Sequence, residues 1–173
     1  MFCIALALPL PGLCAPAPGD CVRSAPVPAF NAKQPGIRSY RFSPVSDHEA
    51  REYLALTTGE SVDIRHGGCE YLVTTLHIKS KSIPIRLTAG RDAFLVAANL
   101  LRQLRQLKDT SGFDLALAAN TLSAAAKGNP AFEEPLAVEG DGADFLQAQV
   151  QVDATGQESG AGFVQITLFR GPL

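Results

Sequence analysis

The side chains that could do chemistry in the middle of this chain are His66, Cys69 and His77. A thiol beside an imidazole can make a nucleophile–base pair, and His and Cys together are zinc ligands. Neither arrangement is complete. His77 lies well along the chain from His66 and Cys69, and no fourth ligand accompanies them, so no metal and no cofactor are expected. The His66-Gly67-Gly68 run has the composition of an esterase oxyanion loop, but the Gly-x-Ser-x-Gly elbow that loop serves is absent. In an exported chain a cysteine with an available partner is normally oxidised. Cys69 is therefore expected to pair with Cys21, contributing about 2–4 kcal/mol.

Three other clusters have simpler explanations. Asp47, His48 and Glu49 follow Ser46 in the pattern of a capping box, which accounts for two of the four residues as helix-start chemistry. The acidic run at 139–144, EGDGAD, lacks the ligand spacing of a calcium loop and suits a turn. No phosphate loop, dinucleotide fingerprint or interleaved basic–aromatic surface occurs. No catalytic residue is assigned. If the chain were a hydrolase, His66 and His77 would be the acid–base candidates, with Asp63 or Glu70 nearby.

Charge offers a weaker signal. The chain carries 15 Lys and Arg against 17 Asp and Glu, so no general attraction to nucleic acid is implied. The distribution is uneven. Lys79, Lys81, Arg86, Arg91, Arg102, Arg105 and Lys108 face only Asp92 in the same stretch, and acids dominate after Lys108. Arg91, Arg102 and Arg105 fall on a narrow arc of one helix. With Lys79, Lys81 and Ser159 they are the candidate binding residues, weighed against a plain solvated helix face.

The elements that would carry these residues read as follows. Residues 36–43 form a short strand. A helix runs over 46–58 from the Ser46 capping box to Gly59 as C-terminal cap, with Asp47/Arg51 and His48/Glu52 as i,i+4 pairs. Residues 60–78 make a hairpin turning at Gly67-Gly68, which sets His66 opposite Cys69, Arg65 opposite Glu70, Ile64 opposite Tyr71 and Val62 opposite Val73. The second strand of that hairpin is apolar on both sides towards its end and is expected in the sheet interior. Residues 91–108 have a strong 3.6-residue apolar period, and a second helix follows from 111 to 127, stopped by Gly128-Asn129-Pro130. A short strand at 136–139 leads to a hairpin of 144–153 and 162–170, joined by a polar connection at 154–161. One of its faces is wet and lined by Gln147, Gln149 and Gln151. The expected fold class is α+β: an antiparallel sheet of about five or six strands, in two hairpins, packed against a pair of helices.

The N-terminus sets the compartment. Residues 1–15, MFCIALALPLPGLCA, have the apolar run and small-residue end of a secretory signal peptide, without the usual basic start. The run is too short for a membrane span. Its removal takes Cys3 and Cys14 and leaves the Cys21–Cys69 pair. Residues 16–35 are Pro- and Ala-rich and read as an extended arm, and 36–173 as one α+β domain. The expectation is a periplasmic or secreted binding protein without catalysis, of the inhibitor or immunity type, directed at a protein partner in the cell envelope. A small exported hydrolase and a small-ligand-binding accessory domain are the alternatives. The loops at 79–86 and 154–161 are the surfaces first suspected. Oligomeric state is not legible.

Overall fold

The computed structural model describes residues 21, 24–84, 87, 90–107, 112–128, 130–138 and 147–171. The expected leader, the acidic run at 139–144, Arg86 and Lys108 lie outside the described residues. Among these residues seven strands make one fully antiparallel sheet: β1 (Ile37–Pro44), β2 (Ala50–Leu56), β3 (Ser61–Gly67), β4 (Leu72–Ser80), β5 (Leu136–Val138), β6 (Gln147–Glu158) and β7 (Ala161–Gly171). Their spatial order is β1-β2-β3-β4-β7-β6-β5. Two helices, α1 (Gly90–Arg105) and α2 (Leu115–Ala125), lie between β4 and β5 in the chain. The class is α+β, with a slightly wider sheet than the sequence predicts.

Period-2 alternation decides which face is dry. Leu54, Val62, Ile78 and Val164 form one continuous cross-strand row, and Ile64, Leu76, Ile166 and Val152 form the next. All eight are buried, and the helices close over them with Ala93, Phe94, Ala97, Leu101 and Leu104 of α1 and Ala118, Ala119 and Leu122 of α2. The alanines let the two helices approach each other closely and lie near β5, β6 and β7. Asp114 caps α2 by accepting from the amides of Ala116 and Leu117. The helix read at 91–108, the strand read at 36–43 and the short strand read at 136–139 are present as α1, β1 and β5, and the second helix, read from 111, begins at Leu115.

The predicted helix over 46–58 is a correction. Those residues supply the β1–β2 turn and strand β2. Ala50, Glu52, Leu54 and Leu56 are buried and alternate with the exposed or half-buried Arg51 and Tyr53, so the pattern is two-residue, not 3.6. The capping-box residues still serve as local hydrogen-bond formers, but in a turn. The Glu49 carbonyl accepts from the amides of Val45 and Ser46, and Ser46 Oγ accepts from the His48 amide. Gly59, expected as a helix cap, takes φ +106° in the β2–β3 turn.

The hairpin register is a second correction. Val62 faces Ile78, Ile64 faces Leu76, and Gly67 faces Val73. The turn is longer than two residues, and within it Cys69 forms a disulfide with Cys21 at a Cα–Cα distance of 5.1 Å. The shift buries Leu76 and Ile78 in the common core and leaves Tyr71 45 % exposed. Burying two aliphatic side chains in the common core outweighs the Ile64/Tyr71 pairing that a tight turn would have given. Gly68 has φ +95°, and a Cβ there would sit 2.0 Å from the Tyr71 carbonyl oxygen, so the longer turn requires glycine at that position.

The third correction lies in the last hairpin. Residues 154–161 are not a loop, since β6 runs to Glu158 and β7 begins at Ala161. The two-residue turn at Ser159-Gly160, with φ +52° and +79°, is the tight primed-type turn of this sheet. The β6 strand carries one extra residue at Asp153, where its register against β7 shifts. This bulge aims the Asp153 carboxylate onto the face away from the helices.

Candidate functional site

The sheet face opposite the helices is polar, and among the described residues nothing covers it. Its rows follow from the register. Arg41, Tyr53, Asp63, His77 and Gln165 form one, and Ser43, Arg51, Arg65, Thr75, Thr167 and Gln151 form the next. Except for Thr167 and Gln151, they line a concavity of about 600 Å³, together with Lys79 and Glu158. The wet Gln face predicted for the last hairpin is the outer third of this surface.

Two sub-networks organise its β4–β7–β6 side. His77 Nε2 lies 3.1 Å from Glu158 Oε2, and the imidazole rests on the Phe163 ring at a centroid distance of 4.7 Å. Lys79 Nζ donates to Glu158 Oε1 at 3.4 Å and lies 3.7 Å from Asp63 Oδ2. The hydrogen bond from His77, and then the charge of Lys79, hold the Glu158 carboxyl below the usual carboxylate range. One row further on, Asp153 accepts from Gln151 Nε2 at 2.6 Å, Gln165 Nε2 at 3.1 Å and Thr167 Oγ1 at 2.7 Å. Thr75 and Thr167 share a hydrogen bond at 3.1 Å, which extends this chain across β4.

The β1–β2–β3 side differs. Arg51 and Arg65 are direct cross-strand partners on the same face, and Arg41 is diagonal to Arg51. All three are exposed, and none has an ion-pair or hydrogen-bond partner among the described residues. Like charges placed directly opposite each other cost stability unless something compensates them. Sequence reasoning missed these three arginines. It had spent Arg51 on a helical pair with Asp47 and Arg65 on a cross-strand pair with Glu70. The signal that finds them is the alternation of Ala50, Glu52, Leu54 and Leu56 with Arg51, Tyr53 and Ala55.

His66 lies on the opposite side of the sheet from His77. Its Nε2 is 2.9 Å from Glu52 Oε2, and both side chains are buried, 4 % and 0 % exposed. Glu52 also accepts from the Ala29 amide at 2.8 Å and the Phe30 amide at 3.0 Å, which fastens the N-terminal arm over the core. Burial, and then the Glu52 charge, push the Tyr40 phenol well above its usual range. The two histidines therefore serve separate places, and no single acid–base pair can be built from both.

The remaining candidates divide the same way. Lys79 reaches Glu158, the residue before the Ser159 turn, at one end of the open face, and Lys81 is exposed. Arg91, Arg102 and Arg105 are on α1, behind the sheet. Arg91 and Arg105 are exposed, whereas Arg102 bridges the helices by donating to Asn99 Oδ1, Asn120 Oδ1 and Ser123 Oγ. Among the described residues no three His, Cys, Asp or Glu side chains are placed to hold a metal ion, and no helix is long and apolar enough to cross a membrane. Neither the protein-family models, nor the curated proteins, nor the solved structures contain a match to this chain.

Proposed function

We propose that this chain is an exported, disulfide-stapled binding protein that engages an acidic surface of a protein partner in the cell envelope through the open face of its sheet. An inhibitor or immunity-type protein directed at an envelope-active enzyme is the form of this that fits best. One observation carries the reading: Arg41, Arg51 and Arg65 stand exposed and uncompensated in a 600 Å³ concavity, on the paired strands β1, β2 and β3. Charge of one sign in a concave, partly walled surface steers an oppositely charged partner and fixes its register. The test is affinity capture from envelope and supernatant extracts with the oxidised chain starting at Pro16, run beside the R51E/R65E form. A stoichiometric protein held by the native form, released by salt and not held by the reversed form, is the expected result. Equal recovery on both baits, or none on either, would overturn the reading.

A specific observation also favours a second reading. His77 is oriented by Glu158 at 3.1 Å beside Lys79 and Asp63, as a general base or acid would be. In a small exported hydrolase this histidine, not His66, would act. Turnover of an ester, amide or glycoside substrate that disappears in H77Q at unchanged stability would displace the binding reading.

A further inference from the structure

We infer that Arg51 and Arg65, with Arg41 beside them, form a site for a tetrahedral dianion: the phosphate or sulfate group of a monoester, free or carried by a larger molecule. The inference rests on the reading that the open face is the working face, and it names what that face holds.

The argument begins with the contrast between the two halves of the face. On the β4–β7–β6 side each basic side chain has a carboxylate: His77 and Lys79 share Glu158, and Lys79 also reaches Asp63. On the β1–β2–β3 side three guanidiniums have none. Asp63 is on the same face, one row away, and Lys79 already lies 3.7 Å from it. Glu49 lines the adjoining hollow with Arg51 and Arg65 and makes no ion pair with either. Glu52 points to the other side of the sheet, where Ala29, Phe30 and His66 use it.

Position adds to charge. Arg51 and Arg65 line both the 600 Å³ concavity and a neighbouring one of about 340 Å³, so they stand on the saddle between two hollows. Ser43 and Thr75 complete their row on either side. Two guanidinium forks facing each other across paired strands can each give two parallel N–H donors to one ligand. A planar, singly charged carboxylate can satisfy one fork. A tetrahedral dianion can accept from both and offsets two of the three charges. The strand pairing fixes the spacing of the Arg51 and Arg65 backbones, so binding has to order only their side chains.

The experiment is a titration of the oxidised chain with sodium phosphate at constant ionic strength, made up with chloride. Arginine Nε–H resonances and the melting temperature are both followed. Saturable shifts at Arg51 and Arg65 and a rise in melting temperature over chloride are expected. Affinity should fall at least tenfold in R51Q/R65Q. That variant should melt higher than the native chain in phosphate-free buffer, because the like-charge contact is gone. R65K keeps the charge and loses the fork, so it should bind phosphate measurably more weakly than the native chain. Sulfate as a second arm separates the sources. Matched binding assigns phosphate and sulfate esters alike, and a preference for phosphate assigns phosphate esters. Shifts that are linear and equal to those of chloride, an equal response to acetate, or undiminished phosphate binding by R51Q/R65Q would overturn the inference. Arginine-dependent capture of a protein partner with a silent phosphate titration would sink this inference alone. Phosphate binding without any captured protein would sink the partner reading alone.

Discussion

At the residue scale, Glu52 has the largest structural role for a single charged group. It is a buried carboxylate that satisfies two backbone amides of the arm and one imidazole. Removing it leaves three buried donors without an acceptor, each costing about 1–3 kcal/mol. E52A is expected to lose about 3 kcal/mol in chemical denaturation, and the Ala29 and Phe30 amides should lose their hydrogen-exchange protection first. Tyr40, close by, sets an alkaline limit. Its folded-state pKa is raised above the unfolded value, so the folded state holds the phenol proton more tightly. That stability is complete below about pH 10 and is lost as pH rises beyond it. Denaturation midpoints measured from pH 8 to pH 11 should fall in the native chain and fall less in Y40F. Glu158 works in the opposite direction. Its folded pKa is depressed by His77 and Lys79, so its contribution is present above the usual carboxylate value and disappears on acidification. E158Q should flatten the acid limb of the stability profile, and an unaltered limb would show that the His77–Glu158 contact carries no weight.

At the element scale, the turns decide more than the strands do. The sheet has a two-residue turn where the sequence suggests a loop, at Ser159-Gly160, and a longer turn where the sequence suggests two residues, at Gly67-Gly68. Both positions are rich in glycine, and the local chemistry permits either geometry. G68A is therefore expected to cost about 2 kcal/mol or more, because a side chain there meets the Tyr71 carbonyl as well as an unfavourable φ. The α1–α2 pair is tied at its surface by Arg102, which touches three side chains on two helices. R102A should lower stability by about 1 kcal/mol and loosen α2 amide protection before that of the sheet. The basic arc read along α1 thus contains one structural arginine and two solvated ones, Arg91 and Arg105.

At the scale of the whole molecule, the sheet is a wall with a dry side and a wet side. The helices and the arm share the dry side. The disulfide ties the start of the arm to the β3–β4 turn, and Glu52 ties its end to β2. Arm, staple and carboxylate should therefore behave as one unit. Reduction of Cys21–Cys69 should cost about 2–4 kcal/mol. It should cost less when E52A has already freed the arm, which a double-mutant cycle with C21S/C69S measures.

The sequence alone determined a good deal of this molecule. The 3.6-residue period of 91–108 made α1, since seven apolar positions on one arc have no other way to be buried together. The alternation of Val150 and Val152 with Gln149 and Gln151 made a strand with one wet face. The pairing expected of Cys21 and Cys69 is the staple that the fold holds. What only the tertiary structure decided was register and partnership. Local chemistry at 46–59 supports a capped helix and a turn almost equally. The balance tipped only because β1 and β3 were available to pair on both sides of Ala50–Leu56. The same long-range pairing set Arg51 opposite Arg65 and sent His66 and His77 to opposite faces. A strand's neighbours come from distant parts of the chain, so no window of sequence around Arg51 contains the residue that faces it.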